Sequence, residues 1–227
     1  MQIGKGAARI AAGLLLSAVG ALANAQVING NFESGLDPWK NYITDNGTAG
    51  PGGIHLADFD IDGDGTVSNT VAMSVGYAVA PCAAPGILCP SPTEGAGIYQ
   101  WAHFEEGPVH FHVDLAVENN SPYGGYNEDG GTFQLILGGN TVGEWSAGPI
   151  DAGSVIRGSI DVRDVMVAPM DMWFMVKTTR HWASAEGLTQ YIDNVSITPV
   201  PEPATNAMLL LGLAVIAGVM RRNGVKG

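Results

Sequence analysis

Residues 109–118 alternate almost without a break: Val109, Phe111, Val113, Leu115 and Val117 are apolar, while His110, His112, Asp114 and Glu118 stand between them and only Ala116 departs from the pattern. A period of two sends the two sets to opposite faces of a strand, so this segment offers one face to a core and one to water. Runs of the same kind recur at 26–32, 39–43, 66–79, 97–104, 132–137, 142–146, 154–162, 170–179 and 189–197, with Gly, Asn, Asp and Pro clusters between them. No interior segment of ten or more residues carries a helical stripe. The pattern predicts an all-β fold, a single jelly-roll-like β-sandwich.

Both ends of the chain read differently. Lys5 and Arg9 precede an apolar run over 10–22, and Ala23-Asn24-Ala25 has the small-x-small form that signal peptidase reads. Residues 1–25 are therefore expected to be a signal peptide cut before Gln26. At the other end, residues 204–220 hold only two polar side chains, Thr205 and Asn206, and would span about 25 Å as a helix. Arg221, Arg222 and Lys226 follow in a basic tail over 221–227, a cluster that prefers the cytoplasmic side and would leave the preceding domain outside. A transmembrane helix over 204–220 is the expectation, so the precursor would be membrane-anchored.

Pro201-Glu202-Pro203, the short apolar run and the Arg221-Arg222 pair occur in the order of the PEP-CTERM sorting signal, which the segment 200–227 resembles. The resemblance implies a Gram-negative bacterium that makes extracellular polysaccharide, and an exosortase that cleaves near Pro201, Glu202 and Pro203. On this reading the inner membrane is a transient partner. The destination is the cell surface or extracellular matrix.

Between the two signals lies 26–199, enough for one domain with a real core. It holds five basic and 21 acidic residues, a formal charge of −16, and no Lys or Arg between Lys40 and Arg157. Such a surface argues against nucleic acid and anionic lipid as partners. Cys82 and Cys89 are the only cysteines. In an exported chain they are expected to form a disulfide closing a Pro- and Gly-rich loop, with a stabilisation of about 2–3 kcal/mol.

Two short segments carry a second resemblance. Val27-Ile28-Asn29-Gly30-Asn31-Phe32-Glu33, with Trp39 soon after, is similar to the opening of galactose-binding-like jelly-roll carbohydrate-binding modules, and Tyr191-Ile192-Asp193-Asn194-Val195-Ser196-Ile197 to their closing strand. The resemblance implies a structural calcium (Ca2+) held by Glu33 and Asp193. From strand parity alone, Asp193 shares a face with Val195 and Ile197, so its carboxylate starts toward the core and needs a partner. A hydrogen-bonded carboxylate at a strand end is the alternative.

Asp58, Asp60, Asp62 and Asp64 fall at every second position, and Gly63 and Gly65 permit the sharp turn that would bring them onto one cation. The stretch resembles an EF-hand or dockerin loop, but its twelfth position is Val71, or Asn69 in the other register, where a carboxylate belongs. A calcium-binding turn and a solvated acidic hairpin both remain open. His110 and His112 share a strand face, as in cupin metal sites, yet Glu118 comes six residues after His112, where the cupin pattern wants four or five. A polar sheet face is the reading; His103, Glu105 and Glu106 are candidates to lie nearby.

Aromatic side chains offer platforms for sugar rings. Trp173 has the parity of Asp171 and Lys177, opposite to Met170, Met172, Phe174 and Val176, which places it on the solvent side of its strand; Tyr123 and Tyr126 sit in a Gly-rich loop, and Trp145 and Trp182 are further candidates. No nucleophile elbow, zinc-protease motif or phosphate loop is present, and 21 carboxylates single out no catalytic pair. The sequence reads as a non-enzymatic exported protein with a structural or adhesive role and weak glycan binding. A secreted polysaccharide-active enzyme is the alternative.

Overall fold

The computed structural model describes residues 27–45, 47, 49–75, 94–120, 128–180 and 187–200. Twelve strands run through them: β1 (Lys40–Ile43), β2 (His55–Phe59), β3 (Ser68–Met73), β4 (Glu94–Phe104), β5 (Gly107–Asn119), β6 (Glu128–Asp129), β7 (Thr132–Leu137), β8 (Asn140–Ser146), β9 (Pro149–Ile150), β10 (Val155–Met166), β11 (Met170–Arg180) and β12 (Leu188–Pro199). Sheet I has the order β1-β4-β11-β7-β8 and sheet II the order β10-β5-β12-β3-β2, with β6 and β9 forming a small separate pair. Every pairing is antiparallel. The result is an all-β, two-sheet, jelly-roll-like sandwich.

Period-two alternation builds the core as expected. Val109, Phe111, Val113, Leu115 and Val117 of β5 are buried against Ile98 and Phe104 of β4, Phe133 and Leu135 of β7, and Phe174 and Val176 of β11. An apolar interior of this kind supplies the main driving force for folding, about 25 cal/mol for each Å² removed from water.

The opening segment departs from the expected strand. Residues 27–36 form turns instead, with Asn29 and Phe32 at positive φ. The Asn29 amide donates to the carbonyls of Gly35 (2.6 Å) and Asp37 (3.1 Å), its oxygen accepts from the Ser34 N–H, and its own carbonyl accepts from the Trp39 indole at 3.0 Å. One side chain thus replaces the hydrogen bonds that a strand ladder would have given. The folded loop delivers Phe32 and Trp39 into the core, where Trp39 meets the Phe174 ring edge-on. Gly30 packs so closely on β12 that a Cβ there would collide with the Val195 carbonyl.

A second apolar cluster lies on the outer side of sheet II. Ile61, Ala72, Ala116 and Tyr191 are buried there, and Phe59 stacks on Tyr191 at 3.8 Å with the rings 8° from parallel. The acidic stretch after β2 folds over this face as its cover. β2 itself escaped the sequence reading, because His55-Leu56-Ala57-Asp58-Phe59 is too mixed to show clean alternation.

Two expectations are corrected. Among the described residues there is no disulfide, and no helix is long and apolar enough to cross a membrane. Cys82, Cys89 and the 204–220 segment all lie outside the described residues, so neither a bridge nor a transmembrane helix is retained. Ala23, Ala25, Gln26, Pro201, Glu202, Pro203, Arg221, Arg222, Tyr123, Tyr126 and Trp182 lie outside them as well.

Candidate functional site

Four strands place an aromatic groove on the outer face of sheet I. Ile98, Gln100, Ala102 and Phe104 of β4 point inward, which leaves Tyr99, Trp101 and His103 outward. On β11, Phe174 and Val176 fill the core while Trp173, Met175 and Lys177 take the other face. Register brings the rings together: Trp101 is directly opposite Trp173, Tyr99 opposite Met175, and Gly97 lies between Tyr42 on β1 and Lys177 on β11. Lacking a side chain, Gly97 leaves the row open where Tyr42 and Lys177 face each other. Ile136 of β7 and Gly139 in the β7–β8 turn complete the wall, and the groove encloses about 500 Å³. The turn is anchored by the Gly138 N–H, which donates to the Trp173 carbonyl at 3.0 Å.

Trp101 is 63% exposed on this face. Indole surface this open is unusual on a sheet, where large aromatics are ordinarily buried. Flat apolar rings beside Tyr hydroxyls and a lysine ammonium suit a ligand with C–H faces and polar rims. The sequence reading found Trp173 and Lys177 on this side of β11. It missed Trp101 and Tyr99, although their spacing of two in Tyr99-Gln100-Trp101 carried the signal. Trp145 is elsewhere: it is only partly exposed, packs on the core, and lies 5.5 Å from Phe133 ring to ring.

The outer face of sheet II carries a polar cluster. Asp161 on β10 faces both histidines of β5: its carboxylate lies 2.9 Å from His112 Nδ1 and 3.3 Å from His110 Nε2. His112 Nε2 is 3.1 Å from Asp114, which also accepts from the Asn194 amide at 3.0 Å. Burial works against charge on His112, but hydrogen bonds and charges from Asp161 and Asp114 outweigh it and raise its pKa. Hydrogen bonding to His112 lowers that of Asp161. A shallow cleft of about 460 Å³ adjoins, lined by Asn29, Asn31, His112, Asp114, Asn194 and Ser196. His103 is not part of this cluster. It sits on sheet I, 2.7 Å from Asp171 and 3.4 Å from Glu105.

The calcium expectation is overturned. Among the described residues no group of three or more His, Cys, Asp or Glu side chains is arranged to hold a metal ion. Asp60, Asp64, Glu33 and Asp193 are instead engaged locally. Asp60 accepts from the Gly63 N–H (2.7 Å) and the Gly65 N–H (3.1 Å), while its carbonyl accepts two bonds from the Arg157 guanidinium. Asp64 accepts from the Thr66 N–H, which holds its pKa below the ordinary carboxylate value. Asp62 is raised, first by desolvation and then by Asp114, Asp64 and Asp60. Asp58 stands exposed on β2, opposite Asn69. Glu33 accepts from both the backbone and side-chain amides of Asn69, at 3.0 Å each.

Asp193 differs from its expected orientation. A register shift between Asp193 and Ser196, with Asn194 at φ 50°, breaks the strand, so Asp193 pairs with Asp114 on the outer side while Val195 and Ile197 remain in the core. Asp193 is nevertheless buried, accepting from Ser68 Oγ at 2.8 Å and the Asn194 N–H at 2.7 Å. Burial raises its pKa to about 6, with Asp114 and Glu33 adding to the effect.

Residues 199–223 match the PEP-CTERM protein-sorting motif. No curated protein matches the chain. Solved structures of similar shape include TmCBM61 in complex with β-1,4-galactotriose, at 14% identity and a TM-score of 0.42 over 78% of this chain and 99% of that one. Another is the CBM22-1–GH10 modules of Clostridium thermocellum endo-1,4-β-D-xylanase 10B complexed with xylohexaose, at 17% identity and 0.39; the match covers 80% of this chain and 30% of that one. The K1 cleaved adhesin domain of Lys-gingipain from Porphyromonas gingivalis W83 gives 13% identity and 0.40, over 75% of this chain and 96% of that domain. At these values no residue's role passes from them to this chain. What stands is an all-β sandwich carrying an aromatic surface groove, in a chain with a PEP-CTERM sorting motif and hence an exported, surface-associated protein.

Proposed function

We propose that this chain is a non-enzymatic surface protein that holds polysaccharide in the sheet I groove, with a structural or adhesive role in the extracellular matrix. The observation that carries the reading is the cross-strand pair Trp101–Trp173, with Trp101 open to solvent and Tyr42, Tyr99 and Lys177 at hand. Sugar rings stack their C–H faces on such indoles, and a rigid sheet fixes the spacing of the platforms without a cost in loop ordering.

Processing completes the proposal. Signal peptidase removes 1–25, leaving the 26–199 domain, and an exosortase recognises 200–227 at Pro201, Glu202 and Pro203; the motif match over 199–223 supports the second step. Polysaccharide from the producing cell, titrated into the purified protein, is expected to change the tryptophan fluorescence of the wild type. A response that persists when both Trp101 and Trp173 are replaced by Ala removes the groove from the account. New reducing ends in the polysaccharide would make the protein an enzyme.

A further inference from the structure

Residues 26–199 contain only two lysines, Lys40 and Lys177, in a segment with 21 carboxylates. Both stand on the groove face of sheet I. Lys177 shares its row with Tyr42 across Gly97, and Lys40 is directly opposite Tyr99. Neither takes part in an ion pair among the described residues. Two of the three arginines are committed to structure: Arg157 donates to the Asp60 carbonyl, and Arg180 is buried on the carbonyls of Asp129 and Val75.

The carboxylates are distributed the other way. No Asp or Glu lines the groove. Glu144, nearest in register, accepts from the Gln134 amide, and Asp171 is engaged by His103. Asp60, Asp62, Asp64, Asp114, Glu118 and Asp161 gather on the outer side of sheet II or in the loop covering it. The two sheets and the core between them separate this cluster from the groove. The groove lining itself therefore holds one ammonium and no carboxylate, with Asp171 and Glu144 on the same sheet face beyond it.

Resting on the glycan reading above, we infer that the ligand class is an acidic polysaccharide, whose uronic acid carboxylates meet Lys177 and Lys40 while its ring faces lie on Trp101, Trp173 and Tyr99. A half-exposed ammonium beside apolar rings gains most from an anionic partner, through a charge-assisted hydrogen bond.

The test compares matched pairs. Oligomers of polygalacturonate and of alginate, and the same oligomers after reduction of their carboxyl groups, are titrated calorimetrically into the full chain. The acidic member of a pair is expected to bind about tenfold more tightly than its reduced counterpart. Its affinity should fall as salt rises, and Lys177→Gln/Lys40→Gln should erase the difference between the two. Equal affinities within each pair overturn the acidic class while leaving a neutral glycan site, and a preference for the acidic form that survives in Lys177→Gln/Lys40→Gln overturns the assignment of these two lysines as its partners. Binding of both members that is unmoved by Trp173→Ala, or no binding of any oligomer, defeats the groove as a glycan site and this inference with it.

Discussion

Asp193 accepts a hydrogen bond from Ser68 across adjacent strands at 2.8 Å, in a position that is only 1% exposed. The carboxyl is raised to about 6, chiefly by burial, so the native state binds its proton more tightly than the unfolded chain does. Stability contributed by this proton is present below the unfolded value near 3.8 and is lost as pH rises through about 6. Asp193→Asn keeps an acceptor for the Asn194 N–H and turns a donor toward Ser68 Oγ. It should be about 1–3 kcal/mol more stable than wild type at pH 7.5 and nearly equal to it at pH 4, by chemical denaturation. Destabilisation at pH 7.5 would mean that the charge has a partner.

The acidic loop is held by its own backbone. Asp60→Ala removes the acceptor for Gly63 and Gly65 and loosens the cover over Phe59 and Tyr191. A loss of about 1–2 kcal/mol is expected, equal in calcium and in chelator. A loss seen only with calcium present would restore the metal site.

His112 sits between Asp161 and Asp114, and its raised pKa makes the protonated form the better-stabilised one. Its contribution is complete below the unfolded value of about 6.5 and disappears as pH climbs through the higher folded value. The melting temperature of the wild type should therefore decline as pH rises above about 6.5, and the decline should be shallower in His112→Gln. Parallel profiles for the two proteins would show that the pair with Asp161 adds nothing.

Sequence made the sandwich legible wherever alternation was clean, as in β5, β7 and β11, because one buried face imposes period two on the residues themselves. It failed at 27–36, where a single asparagine supplies the hydrogen bonds of a folded loop and strand-like composition conceals turns. Parity failed at Asp193 for a related reason: the bulge before Ser196 inserts a change of face that no spacing announces. The acidic repeat suggested a cation, yet its carboxylates serve Gly63, Gly65 and Thr66 as turn acceptors, a use that depends on backbone geometry. Half of the groove was visible as Trp173 and Lys177. The other half required knowing that β4 lies beside β11, a contact between residues some 70 positions apart in the chain, which one sequence does not reveal.

The central claim is tested most directly by calorimetric titration of acidic polysaccharide into the wild type, Trp101→Ala and Trp173→Ala. Each substitution should weaken binding about tenfold, with melting temperatures close to wild type for Trp101→Ala because its ring is largely in solvent. Affinity unchanged in both variants would contradict the account and leave the groove as bare surface.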